Sequence, residues 1–136
     1  MKSLTNFGEL LRFSMDMEAD HAEFYEAQAA ASPAASELFL ALAKAHQRRH
    51  DQLRIVRQEN LNEMLLEPLC GLAGPDPTVP GASTDDATQR ALALEQQAEA
   101  YYHDVAVKAK SALGGAARTF RRFGEQNAEF RRRLES

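Results

Sequence analysis

The chain has 136 residues, of which 44% are hydrophobic and 26% are charged, and its net charge is −4. This length and balance are typical of one folded domain, 1–136, and they exclude a disordered tail. The negative charge argues against a nucleic-acid partner, and because no run approaches about 18 apolar residues we expect no membrane span. The single cysteine permits no internal disulfide and the first residues form no signal-peptide pattern, so we expect a cytoplasmic protein.

Helical periodicity divides the chain into four segments. We predict helices over about 5–31, 33–66, 84–113 and 116–134, with a proline-rich connection at 67–83. Thr5 or Asn6 is placed to cap the first helix, and Ser32-Pro33 ends it and starts the second. Ser83 or Thr84 is placed to cap the third helix, and Gly114-Gly115 to end it. No segment has the alternation of a β-strand, so the predicted fold is all-α.

The lengths of the connections predict the topology. The first two helices, and the last two, are joined so tightly that each pair must form an antiparallel hairpin. A connection of about 17 residues spans roughly 55 Å when extended, whereas a 30-residue helix is about 45 Å long. The long connection can therefore cross the length of a four-helix bundle and leave the second and third helices parallel.

One sequence element occurs twice, in the first and third predicted helices. Glu18 is followed by Tyr25, and Glu95 by Tyr102, each tyrosine standing seven positions after its acid. Seven residues return to nearly the same side of a helix, so each acid shares an apolar face with its tyrosine. Because an unpaired buried charge is very costly, each acid needs a partner inside the bundle.

The other two helices also place a polar residue in the centre of an apolar face. His46 holds this position in the second helix, with Arg49 and His50 flanking it, and Asn127 holds it in the fourth. At matching heights, Glu18, His46, Glu95 and Asn127 would converge on one polar site.

These helices resemble those of the rubrerythrin-like branch of the ferritin-like superfamily. The resemblance implies a ferritin-like four-helix bundle of two hairpins joined by a long crossover. That family holds two irons with a Glu on each of two helices and a Glu-x-x-His on each of the other two. In the matching register, the second-helix pair becomes His46 and Arg49, the fourth-helix pair becomes Asn127 and Phe130, and the acids at 18 and 95 remain.

Two interpretations of this altered site stay open, beside a di-iron peroxidase or ferroxidase. In the first, Arg49, helped by protonated His46, forks across Glu18 and Glu95 in a metal-free, non-catalytic scaffold or interaction module. In the second, Glu18, His46 and Glu95 hold a single Fe, Mn or Zn ion, with His50, Asn127 or water completing the shell. The two differ in Arg49, which excludes a metal if it turns inward and permits one if it turns outward.

Two further predictions concern the first helix. His21 forms a Glu-x-x-His motif with Glu18 on a helix where the family has none, and it is a weaker candidate for a metal ligand. The first two helices also carry wider apolar arcs than one neighbour requires, through residues such as Leu10, Phe13 and Ile55. We therefore predict a homodimer built on helices 1 and 2.

Overall fold

In a computed structural model of the chain, the residues described below are 2–4, 6–59, 73–75, 86–109 and 114–135. Their four helices form an all-α bundle, as predicted: α1 (Phe7–Ala31), α2 (Ser36–Glu59), α3 (Ala87–Ala109) and α4 (Gly114–Glu135). None of these helices is long and apolar enough to cross a membrane.

The first helix begins at a predicted capping residue, and the second begins later than predicted. The backbone N–H of Glu9 donates to Asn6 Oδ1 at 2.8 Å, so Asn6 is the N-cap of α1. α1 ends at Ala31, and a 3-10 turn at Pro33–Ala35 leads into α2, which starts at Ser36 and not at the predicted residue 33. Ser32 precedes this turn without a side-chain capping hydrogen bond. Pro33 ends α1, because its ring fixes φ and removes a backbone donor.

The third and fourth helices begin at residues other than those predicted. Asp86 caps α3, since its Oδ1 accepts from the backbone N–H of Thr88 at 2.9 Å. Gly114 opens α4 instead of ending α3, which stops at Ala109 among the described residues. Glycine occurs at both ends of helices, so the pair Gly114-Gly115 alone does not show whether it ends α3 or begins α4. The predicted helical stretches 60–66 and 110–113, the caps at 83 and 84, and most of the connection 67–83 lie outside the described residues.

A short β-pair was not predicted. β1 (Lys2–Ser3) pairs antiparallel with β2 (Ala73–Gly74), with Lys2 opposite Gly74. Two-residue strands are too short to show an alternating pattern in the sequence. The backbone of Gly74 lies against the Phe13 ring, and a Cβ at this position would be 2.4 Å from Phe13 Cζ. This approach ties the pair to α1.

Side-chain contacts give the directions of the helices. Along α1, Glu18 meets His46 of α2 and Tyr25 meets Phe39, so α1 and α2 are antiparallel. Glu18 also meets Tyr102 of α3, whereas Tyr25 meets Glu95, so α1 and α3 are antiparallel as well. It follows that α2 and α3 run in the same direction.

The fourth helix completes the bundle. Glu95 meets Asn127, and Tyr102 packs on Phe120 and Phe123, which makes α4 antiparallel to α3. The long connection between α2 and α3 therefore joins two antiparallel hairpins.

Two apolar clusters fill the interior, one on each side of a polar layer. The first cluster includes Phe7, Leu10, Leu11, Leu53, Val105, Phe120 and Phe123. The second includes Phe24, Phe39, Leu42, Leu94, Phe130 and Leu134. Between them lie the fully buried side chains of Glu18, His46, Glu95 and Asn127, with Arg49 1% exposed. Close packing on both sides fixes the positions of these polar groups.

Candidate functional site

The imidazole of His46 lies between two carboxylates at the centre of the bundle. Nδ1 is hydrogen-bonded to Glu18 Oε1 of α1, and Nε2 is hydrogen-bonded to Glu95 Oε1 of α3 at 2.7 Å. All three side chains are fully buried. Because ionised carboxylates only accept, both ring nitrogens donate, so His46 is an imidazolium whose positive charge is shared by two acids.

The two tyrosines of the repeated element reach across the bundle. The Tyr25 hydroxyl donates to Glu95 Oε1 at 2.8 Å, and the Tyr102 hydroxyl donates to Glu18 Oε2 at 2.6 Å. Each tyrosine thus donates to the acid of the other element, not to the acid seven positions before it. This exchange joins the two hairpins through a pair of charge-assisted hydrogen bonds.

Arg49 turns inward, one helical turn from His46 on α2. Its Nη1 donates to Asn127 Oδ1 at 3.0 Å and lies 3.5 Å from Glu18 Oε2. Its Nη2 donates to the carbonyl oxygen of Phe123 at 2.7 Å, and its Nε donates to Gln126 Oε1 at 3.3 Å. The guanidinium also lies over the Phe123 ring, 4.9 Å from its centre. All three guanidinium nitrogens of Arg49 therefore contact α4 or Glu18.

Asn127 links the arginine to the second acid. While its Oδ1 accepts from Arg49, its Nδ2 donates to Glu95 Oε2. With the contacts described above, all four carboxylate oxygens of Glu18 and Glu95 already accept hydrogen bonds or face a cation. Each acid thus has three contacts for about four acceptor positions on its two oxygens, which leaves little room for a further ligand.

The charges of the layer cancel. Burial raises the pKa of the Glu18 carboxyl, but the charges of His46 and Arg49 and the bond from His46 outweigh burial and hold it well below its usual range. Burial likewise raises the pKa of Glu95. The charge and hydrogen bond of His46 have the larger, opposite effect, so the net shift of this pKa is downward. For His46, burial lowers the pKa, and the charges of Glu95 and Glu18 raise it to about 9. Two carboxylates thus face one imidazolium and one guanidinium.

The tyrosines stay neutral in this layer. Burial, and then the charge of Glu95, raise the pKa of Tyr25 well above its ordinary value. Burial and the charge of Glu18 do the same for Tyr102. Both hydroxyls therefore keep the protons that they donate to the acids.

The imidazole of His21 lies at the edge of the layer. It is 7% exposed, its Nδ1 has no partner among the described residues, and its ring meets His46 edge-on at 5.3 Å. Burial, and then the charge of His46, lower the pKa of His21 to about 4, so it is a neutral ring at ordinary pH. Ligand atoms of Glu18, His21 and His46 all lie within 4.8 Å of one another. Of the described residues, these three form the group that could hold a metal ion.

The structure brings together five of the six predicted site residues: Glu18, His46, Arg49, Glu95 and Asn127. His50 does not join them. Its side chain is 35% exposed, and its Nδ1 lies 3.7 Å from Asp51 Oδ1 at the surface. Four residues turn an α-helix by about 400°, so His50 lies about 40° away from the direction of His46.

The roles of two residues differ from the prediction. The predicted fork of Arg49 across Glu18 and Glu95 is wrong, because the imidazolium of His46 bridges the acids and Arg49 contacts only Glu18 directly. The predicted ligand set Glu18, His46 and Glu95 does not surround one point either. The two acids lie at opposite nitrogens of one ring, so a single ion in this arrangement cannot bind all three.

Sequence reasoning missed the outer partners of the layer. Gln126 and the Phe123 carbonyl hold Arg49, and Ser14 lies 2.8 Å from the Tyr101 hydroxyl beside the first apolar cluster. A backbone carbonyl carries no sequence signal. Ser14 lies four residues before Glu18 on the same apolar face. This position was the signal that could have predicted its burial.

Comparison with known proteins returned no match to a protein-family model, a curated protein or a solved structure.

Proposed function

We propose that this chain is a ferritin-like bundle of the rubrerythrin-like kind in which a hydrogen-bonded charge network occupies the place of the di-iron centre. In this proposal the protein acts without catalysis, as a scaffold or interaction module. Support comes from the helix directions and from the Glu-Tyr elements on α1 and α3, which match the resemblance found in the sequence.

The observation that carries the proposal is the bridge from Glu18 through His46 to Glu95. Each ring nitrogen of His46 is used by an acid, so neither offers a lone pair to a metal. Arg49 adds the second positive charge, and the four formal charges sum to zero. A fully paired buried network costs little, whereas a further cation would leave positive charge unmatched in a medium of low polarity.

A di-iron centre fits these residues poorly. Two irons need several carboxylates to offset their charge, and among the described residues the buried layer holds two, Glu18 and Glu95. The buried guanidinium of Arg49, 3.5 Å from Glu18, would repel either cation.

Metal analysis tests the proposal. Protein purified without chelator should hold far less than one equivalent of iron, manganese or zinc. The Glu18→Ala variant should lose about 3 kcal/mol or more of unfolding free energy, since it leaves Arg49 and His46 with one acid between them. Glu23→Ala removes an exposed acid from the same helix and should change the stability little. One equivalent of metal that co-purifies with the wild type and is lost with Glu18→Ala would contradict the proposal.

A second candidate function is the binding of a single divalent ion. The observation that favours it is the unpartnered, buried Nδ1 of His21 close to Glu18 and His46. One acid and two imidazoles suit Zn, Fe(II) or Mn, provided that His46 gives up the proton it donates to Glu18. This exchange would leave the layer with an excess positive charge, which is why we place the candidate second.

Cobalt(II) distinguishes the two candidates. A site built on His21 should give the strong visible absorption of a low-coordinate Co(II) ion, and zinc should compete for it. His21→Ala should abolish this absorption and His103→Ala, which removes an exposed histidine, should not. Absence of absorption at one equivalent of Co(II) would favour the metal-free network.

A homodimer on helices 1 and 2 and a cytoplasmic location remain part of the proposal. The chain itself covers Leu10, which is fully buried, and leaves Ile55 47% exposed on α2. Light scattering at micromolar concentration tests the dimer, and Ile55→Lys should shift the equilibrium toward the monomer if α2 contributes to the interface.

A further inference from the structure

A groove between α2 and α4 is lined by arginines on the outer side of the polar layer. Its volume is about 240 Å³, and its charged lining residues are Arg48, Arg49 and Arg133. Gln52 and Gln126 add amide groups, and none of the described residues that line the groove is acidic. This concentration of positive charge stands on a chain whose net charge is −4.

The inner wall of the groove contains a buried arginine that several contacts hold in place. Arg49 is 1% exposed and is held from three sides by Glu18, Asn127 and the carbonyl oxygen of Phe123. Its Nε donates to Gln126 Oε1 at a long 3.3 Å, and Gln126 itself lines the groove. Arg49 is therefore a fixed guanidinium at the inner wall, and the Gln126 amide contacts it on the groove side.

The outer wall of the groove carries two exposed guanidinium groups. Arg48 is exposed and has no ion pair or hydrogen bond within the described part of the chain. Arg133 is exposed on the α4 side of the same groove. Guanidinium groups match the oxygens of phosphates and carboxylates with paired hydrogen bonds, and they do so better than lysine ammonium groups.

A second groove, on the other side of α2, is lined by acidic residues. Between α1 and α2 lies a larger groove of about 690 Å³, whose lining includes Glu23, Glu26 and Asp51 and, within the part of the chain that the structure describes, no arginine or lysine. The two grooves flank α2 and carry opposite charges. An anion is attracted to the first and repelled from the second, so the location of binding is set by the fold and not by the overall charge.

We propose that the groove between α2 and α4 binds a small oxyanion, either a phosphate group or a dicarboxylate. Arg48 and Arg133 hold the anion from outside, while the amide nitrogen of Gln126, whose Oε1 accepts from Arg49 Nε, donates to it from inside. This proposal is independent of the metal-free network, since it concerns the outer side of Arg49. Its failure would leave the metal analysis unchanged.

An NMR titration tests this proposal. The isotope-labelled full chain is titrated with inorganic phosphate, and separately with succinate, at constant ionic strength. Saturable NMR shifts are expected for Arg48, Gln52 and Gln126, together with a shift of the Arg49 Nε–H resonance. The amides of Glu23 and Asp51 in the acidic groove should not shift. Binding of one anion and not of the other supports the proposal and identifies the source of the ligand.

Matched arginine variants complete the test. The double variant Arg48→Gln/Arg133→Gln should raise the dissociation constant about tenfold or more. Arg121→Gln removes the same charge from the exposed side of α4, opposite Phe130, and should change it less than twofold. If the double variant does not fold, Arg48→Gln alone must still weaken binding more than Arg121→Gln does. Shifts that do not saturate, or equal losses in the groove and control variants, would overturn the proposal.

Discussion

Raising the pH above neutrality should destabilise this bundle by removing the proton of His46. The pKa of His46 is about 9 in the folded protein, against 6.5 for an unperturbed histidine. A raised folded pKa means that the stabilisation is complete below pH 6.5 and is lost as the pH rises through about 9. At about 1.4 kcal/mol per pKa unit, this loss amounts to about 3 kcal/mol of unfolding free energy.

The other histidine of the layer acts in the opposite direction. Burial and the charge of His46 lower the pKa of His21 to about 4, so between pH 4 and 6.5 the unfolded chain binds a proton that the folded chain does not. Stability therefore rises with pH in this window, again by about 3 kcal/mol. The lowered pKa values of Glu18 and Glu95 add to the loss at acid pH, below their ordinary value of 4.5. Together these groups predict a maximum of stability near pH 6.5.

Urea unfolding followed by circular dichroism at half-unit steps from pH 4 to 10 measures this profile. His103→Gln, which removes an exposed histidine, should preserve it. His21→Gln should flatten the acid limb and leave the fall between pH 6.5 and 9 unchanged. A wild-type stability that is constant, or that rises, between pH 6.5 and 9 would refute the bridging imidazolium.

Three further predictions concern single contacts. Tyr25→Phe should lower the unfolding free energy by about 1–3 kcal/mol, measured by urea titration, because it removes a buried charge-assisted hydrogen bond to a central acid. Gly74→Ala should cost about 1–3 kcal/mol in the same assay, since its Cβ would lie 2.4 Å from Phe13 Cζ, and an unchanged midpoint would mean that the short β-pair does not rest on this ring. Glu99→Gln should cost at most about 1 kcal/mol, although it breaks a 2.7 Å ion pair to Arg131, because both side chains are more than a fifth exposed, and a larger loss would contradict a surface role.

Much of the fold could be predicted from local chemistry. Asn6 caps a helix wherever its side chain can reach the backbone N–H of Glu9, and Pro33 interrupts one wherever it occurs, so these boundaries need no tertiary information. Gly114 is different, because glycine is tolerated on both sides of a helix boundary and the surrounding packing decides between them.

The sequence by itself determined that four polar residues, one on each helix, are buried at the centre of this protein. A period of 3.6 residues places Glu18, His46, Glu95 and Asn127 on apolar faces, and burial of an apolar face is the main driving force for helix packing. Only the tertiary structure decided how these groups pair. Pairing depends on the relative heights and rotations of four helices to within about an ångström, since hydrogen bonds are short and directional, and no local pattern encodes those offsets. For this reason His46 became the bridge between the acids and Arg49 took its place beside Asn127.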